Sequence, residues 1–184
     1  MIFNKCAFLV ISVIILNSCR STTDDKNIKP ISPTPDPDIS TRVYTITTSL
    51  VNKNIDISTA IGTDGTNIIL APATTAKSQK FIFRKSSEHG YFIIKSWQDT
   101  TKVLTVRNNV LTNGTPIEIR TNSNADSQQW MLYNLGNEGF SFSPKNAPEL
   151  MMEIKDGLTA DNTPIIIGTK QQHFKQQFKL NKVN

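Results

Sequence analysis

A ring, an amide and a carboxylate stand together at Trp97-Gln98-Asp99. An indole offers a flat face to the C–H groups of a sugar ring, and a neighbouring amide and carboxylate suit its hydroxyls. Trp97 and Asp99 are therefore candidate ligand contacts. A tryptophan in such a loop could equally pack over one end of a barrel. Glu118 and Arg120 alternate along one stretch and read as an exposed ion pair of little energetic worth. His89, in SSEHGY, and His173, in KQQHFKQ, lack the spacing of metal ligands, and His89 precedes a glycine as a surface-turn residue would. There is no H-E-x-x-H, no G-x-S-x-G, and no cysteine besides Cys6 and Cys19. These patterns point away from catalysis, metal and cofactor, so a non-enzyme is expected.

The elements that must position these residues follow from a repeat. Gln79, Gln128 and Gln176 recur at nearly equal intervals, and each stands two positions before an aromatic: Phe81, Trp130 and Phe178. Gly90 and Gly139 follow the first two glutamines at one and the same offset. A turn signal precedes each glutamine: Asp64-Gly65, Asn113-Gly114 and Asp161-Asn162. Such dipeptides tolerate the positive φ of tight hairpins.

After each turn comes a short strand of period two, marked by Ile68 and Leu70, Ile117 and Ile119, Ile165 and Ile167. Before it lie the columns Ile55, Leu104 and Met152, then Ile57, Val106 and Ile154. Two further apolar columns are expected: Ile61, Val110 and Leu158 between strand and turn, and Tyr44, Ile93 and Phe142 in the first strand of each unit. Four strands in each of three units cannot bury three separate cores. Closure about one axis removes free edges and pools the apolar faces. The expected fold is all-β: a β-trefoil of three four-stranded repeats, with the globular domain at residues 42–184. The repeated aromatics are read as core, and the glutamine amides as satisfying backbone groups near the turn that follows each.

With Gln79-Lys80-Phe81, Gln128-Gln129-Trp130 and Gln176-Gln177-Phe178 in register with the turns, the chain resembles the ricin B-type (Q-x-W) β-trefoil family. Two of the three aromatics are phenylalanine. The resemblance implies binding of galactose-type or related glycans in shallow pockets, up to one per unit. It implies an acidic residue on the second strand, a stacking ring just after the third with a polar residue close before it, and help from the residue before the glutamine. Here the acidic position holds Asp56, Thr105 and Glu153; the ring position Ala71, Arg120 and Gly168; the polar position Ile69, Glu118 and Ile166; the last Ser78, Ser127 and Lys175. No unit carries the whole set. Asp56 and Ser78 are the candidates carried over, with support of a strand or turn as the other role for Asp56.

The N-terminal end has a different character. Lys5, an apolar run from Cys6 to Leu16, and Leu16-Asn17-Ser18-Cys19 resemble the signal and lipobox of bacterial lipoproteins. Residues 1–18 are read as signal peptide, with Cys19 lipidated. Residues 19–41 carry Pro30, Pro33, Pro35 and Pro37 among polar residues and form an extended tether. Asp24-Asp25 resemble the acidic export signals of Bacteroidetes surface lipoproteins; a solvated charge pair is the plainer reading. The formal charge of +5 is scattered rather than clustered, so nucleic acid is not an expected partner. A non-catalytic lectin-like module on the outer membrane follows, bound to the membrane by lipid and taking a glycan or polysaccharide. A periplasm-facing position stays open. The alternative is a protein-binding trefoil, such as a protease inhibitor or envelope-complex adaptor, with an envelope or host protein as partner.

Overall fold

The computed structural model describes residues 39–59, 62–171 and 173–184. The leader, Cys19, most of the tether, and Ile61 lie outside the described residues. Among the described residues twelve strands follow one another in four-strand units. The first unit is β1 (Val43–Thr48), β2 (Lys53–Ile57), β3 (Thr66–Pro72) and β4 (Lys80–Lys85). The second is β5 (Phe92–Ser96), β6 (Lys102–Val106), β7 (Ile117–Thr121) and β8 (Trp130–Asn134). The third is β9 (Phe140–Pro144), β10 (Leu150–Ile154), β11 (Ile165–Thr169) and β12 (Phe178–Lys182).

The outer strands of each unit form a closed ring in the order β12-β9-β8-β5-β4-β1, completed by pairing of β12 with β1. All these pairings are antiparallel. The inner strands form three hairpins, β2–β3, β6–β7 and β10–β11, each tipped by one of the expected turn dipeptides. The hairpin tips engage one another in rotation. Gly65 N–H donates to the Ile119 carbonyl at 2.9 Å, Gly114 N–H to Ile167 at 2.8 Å, and Asn162 N–H to Leu70 at 2.8 Å. Each unit's turn thus caps the third strand of the next. This is the β-trefoil.

The core is continuous through barrel and cap. Phe81, Trp130 and Phe178 are wholly buried. The Trp130 indole N–H donates to the Leu104 carbonyl at 3.1 Å, satisfying its one polar atom inside. Tyr44, Phe83, Phe142 and Phe178 form a chain of ring contacts with centroids 5.8–6.2 Å apart. Burying each such ring stabilises the fold by about 1.5–3 kcal/mol. The hairpin columns, Ile55, Leu104 and Met152 with Ile57, Val106 and Ile154, all enter this core.

Two expected columns differ. Ile46, Ile94 and Phe142 are the true equivalents on the first strands, facing Leu180, Phe83 and Leu132 across the ladder. The expected set of Tyr44, Ile93 and Phe142 slips by one residue at Ile93, because β5 carries apolar residues on both faces and alternation does not mark its register, and by one two-residue step at Tyr44, which shares a face with Ile46. Ile93 is buried but lies outside the main cluster. Val110 and Leu158 are 45% and 53% exposed rather than core. Each leaves a tight 3₁₀ turn containing a left-handed residue, Asn108 (φ 52°) or Asp156 (φ 54°), which swings the chain outward.

Gly139, which follows Gln128 as Gly90 follows Gln79, has φ 97° and ψ −127°, a region that side chains avoid. A Cβ there would overlap the Phe178 carbonyl oxygen. Gly136 also has positive φ (64°), but a Cβ there meets nothing within 4 Å. Gly139→Ala is therefore expected to cost about 2–4 kcal/mol in urea unfolding, and Gly136→Ala about 1–2 kcal/mol. Equal losses at both positions would show that the close approach is not a constraint.

Candidate functional site

Each repeated glutamine closes a short 3₁₀ turn: Lys77–Gln79, Asp126–Gln128 and Phe174–Gln176. Its side chain then reaches back. The amide oxygen accepts from the backbone N–H five residues earlier, at Thr74 (2.8 Å), Ser123 (2.8 Å) and Gln171 (2.7 Å). The amide nitrogen donates to the carbonyl seven residues earlier, at Pro72, Thr121 and Thr169, over 2.8–2.9 Å. It donates again to a side chain on the hairpin: Asp56 Oδ2 (2.8 Å), Thr105 Oγ1 (3.3 Å) or Glu153 Oε2 (2.7 Å). The loop satisfied is thus the one before the glutamine, not the turn after it as expected. The irregular segment at 72–76 and its equivalents would otherwise hold unpaired groups.

Those three hairpin residues each begin a small floor. Directly across the ladder lie Ile69, Glu118 and Ile166. Two residues further along the same face come Ala71, Arg120 and Gly168. Three equivalent floors have become three different surfaces.

In the third unit the floor is filled by the chain itself. Glu153 is 4% exposed and accepts from Lys175 Nζ at 3.1 Å as well as from Gln176. Gly168 leaves the room: a Cβ there would overlap the Glu153 carboxyl group.

In the second unit Glu118 is 1% exposed, its two oxygens held by the Nε groups of Arg107 (2.6 Å) and Arg120. The expectation of an exposed pair is corrected here: the carboxylate is buried and takes two guanidinium partners. The sequence pattern does not single out Arg107, although its place diagonal to Glu118, two residues beyond Thr105, follows from the hairpin tipped by Asn113-Gly114. A cleft of about 330 Å³ opens over this floor. At its rim Asp64 accepts from Lys102 Nζ at 2.6 Å and from Thr121 N–H at 2.8 Å. The Lys102 ammonium holds the Asp64 carboxyl below its usual range against the opposing effect of burial, and the Thr121 N–H and hydroxyl add to the lowering.

In the first unit Asp56 is half-buried. One oxygen takes the Gln79 bond; the other, Oδ1, is shut from solvent with no hydrogen-bond partner among the described residues. Asn54, which no sequence motif marks, bridges Gln79 Oε1 (2.9 Å) to Thr47 (2.7 Å) and locks the amide's orientation. Ser78 lies in the 3₁₀ turn beside Gln79, half-buried. Trp97 is 43% exposed, and its backbone N–H donates to Lys80 at 2.8 Å, which sets it against the residue following Gln79. Asp56 is joined to Gln79 by its side chain, Ser78 adjoins Gln79 in the chain, and Trp97 is joined to Lys80 through its backbone. Asp99 turns elsewhere: its carboxylate accepts from Thr101 N–H (2.9 Å) and Oγ1 (2.6 Å), bonds that hold its pKa low and close a loop. Among the described residues no group of three or more His, Cys, Asp or Glu is placed to hold a metal ion.

With the fold and these floors in view, comparison with known proteins fixes the class. Residues 77–168 match the ricin-type β-trefoil lectin domain-like family, and the chain belongs to it. It is 60% identical over 146 residues to Flavastacin of Elizabethkingia meningoseptica, a match covering 77% of this chain and 33% of that protein. The chain therefore spans about a third of that relative. Among solved structures it is similar to ThreeFoil, a designed threefold-symmetric protein (TM-score 0.72, 21% identity, 77% of this chain and 99% of that one). It is also similar to the Macrolepiota procera ricin B-like lectin in complex with lactose (TM-score 0.65, 18% identity, 78% and 97%).

Gly168→Ala is expected to cost about 1–3 kcal/mol by pushing the Glu153 carboxylate off its partners. Combining it with Glu153→Thr, the hydroxyl that unit two carries at Thr105, should recover most of that loss; additive losses in the cycle would refute the packing account. Asp64 supplies a pH test. Its lowered pKa gives stability that is complete above about pH 4 and lost as pH falls through the folded value. The melting-temperature gap between parent and Asp64→Asn should therefore narrow on going from about pH 6 to about pH 3. A gap independent of pH would show that the Lys102 contact contributes nothing.

Proposed function

We propose that the chain is a carbohydrate-binding, lectin-like module without chemistry of its own, held at the outer membrane by a lipidated Cys19 and set off from it by the proline-rich tether. Family membership supports the ligand class. So does the lactose complex of the Macrolepiota procera lectin, a protein of the same fold. The three units do not contribute alike. The third floor is occupied by its own Lys175–Glu153 pair, and the second has no free carboxylate at the acidic position. For a neutral glycan the first unit is the live one.

The observation that carries this reading is Asp56 Oδ1, a carboxylate oxygen with no donor among the described residues, at the position where the family's acidic residue accepts sugar hydroxyls. An unsatisfied acceptor of this kind costs about 1–3 kcal/mol, and a ligand hydroxyl offsets that cost once the carboxylate turns Oδ1, closed to solvent in the free protein, toward the ligand. Trp97 supplies the stacking face that Ala71 lacks, from another loop. Ser78 adds a hydroxyl at the rim.

A glycan array followed by calorimetry on the hits tests the assignment. Asp56→Asn keeps an oxygen for Gln79 and replaces the free acceptor by a donor. It should leave the melting temperature unchanged or slightly raised and weaken glycan binding by about tenfold or more. Trp97→Ala should weaken it by a similar factor. Binding to no glycan, or undiminished binding by Asp56→Asn, would overturn the proposal.

A further inference from the structure

The second cleft has a chemistry of its own. Where a ring would stack stands Arg120, and no aromatic residue lines the space. Its Nε is committed to the buried Glu118, so the guanidinium plane is fixed at one edge. The side chain is 42% exposed and lines the cleft, and its Nη groups make no hydrogen bond among the described residues. Arg107 binds the second oxygen of Glu118 and also reaches Asn67. One carboxylate thus faces two guanidinium groups. The neighbouring carboxylate, Asp64, is matched by Lys102. With Asp99, which interacts with both Asp64 and Lys102, three cations face three carboxylates, so the attraction for an anion is local to the Arg120 guanidinium rather than a net excess.

The rest of the lining supplies hydrogen bonds rather than apolar surface. Asn108 and Asn109, both left-handed (φ 52° and 55°), expose their amides at one side. Ser123 and Ser127 lie at the other. A volume of about 330 Å³ is at the small end of ligand sites and suits a single sugar residue. A neutral sugar would find no ring to cover its C–H face. An anionic one would find a pre-positioned fork, and guanidinium matches carboxylate and sulfate oxygens in pairs.

From this geometry we infer that the cleft between Arg120 and the Asn108–Asn109 turn binds a glycan residue bearing a carboxylate or sulfate. The site is separate from the Asp56 floor and does not depend on it. Glu118 serves as the positioning residue that holds the fork in place. An acidic polysaccharide bearing neutral residues as well could engage both units at once.

The test is calorimetric titration of the full chain with three oligosaccharide probes of equal length: one containing uronic acid, one sulfated, one neutral. At least one acidic probe should bind, and binding should weaken as salt rises. Arg120→Gln should lower that affinity by about tenfold or more, and Arg120→Lys, which keeps charge but not the fork, should fall between. Asn109→Asp, an exposed change on a backbone that aspartate tolerates, should also weaken acidic probes and guards against misfolding of the arginine variants. Asp56→Asn should leave acidic binding intact. The inference is overturned if neither acidic probe binds, if folded Arg120 and Asn109 variants bind as the parent does, or if Asp56→Asn alone abolishes binding. Loss of neutral-glycan binding in Asp56→Asn bears only on the first cleft.

Discussion

One primary amide, used three times, is the constraint on which the remainder of this trefoil rests. The glutamine at the end of each 3₁₀ turn binds a backbone N–H, a backbone carbonyl and a hairpin side chain together. The aromatic two residues on then enters the core with nowhere else to go. Local irregularity and global packing are joined at a single side chain. The loop before the turn can be irregular because its polar groups have a fixed partner inside the protein. The hairpin cannot drift from the barrel because the same amide holds its face.

That arrangement explains why the three floors diverge while the frame does not. The third bond of each amide asks only for an acceptor, and a carboxylate, a hydroxyl and a longer carboxylate all provide one. Once the amide is satisfied, the opposing strand is free to change. Isoleucine and alanine leave Asp56 with a spare oxygen; a glycine admits the bulk of Glu153; a glutamate and two arginines make a charged cleft. Identical scaffolding therefore tolerates three electrostatic outcomes, set at each floor by two residues of one strand, by the residue that meets the amide and, in the second unit, by Arg107 as well.

The architecture is legible in sequence because it is periodic. Turn dipeptides, glutamines and aromatics recur at matched offsets, and a structure of three shared faces is what such recurrence requires. Register within the first strands is not legible: where both faces of a strand are apolar, as at Phe92-Ile93-Ile94, period two carries no sign. Val110 and Leu158 read as core because hydrophobicity alone does not reveal a left-handed turn just upstream. The sites are harder still. Glu118 reads as a surface charge because its second partner, Arg107, lies on the other limb of a hairpin, outside any local pattern. Gly168 reads as a missing ligand rather than the space for Glu153. Which oxygen of Asp56 lacks a donor depends on the orientation of the Gln79 amide, and only Asn54 and Thr47 decide that.

The pairing of β1 with β12 has a mechanical consequence. The two strands run antiparallel, so Val43 at the start of the first lies beside Val183 just past the last, joined by a hydrogen bond of 2.9 Å. Chain enters and leaves this domain at one point of the seam. A pull that separates the two ends would load the ladder bond by bond, like a zipper, from Tyr44 opposite Lys182 towards Thr48 opposite Phe178. A pull on one end with resistance coming from a bound ligand would cross the whole barrel instead. The domain is thus weakest against tension between its own ends and strongest along the line from either end to whatever it holds.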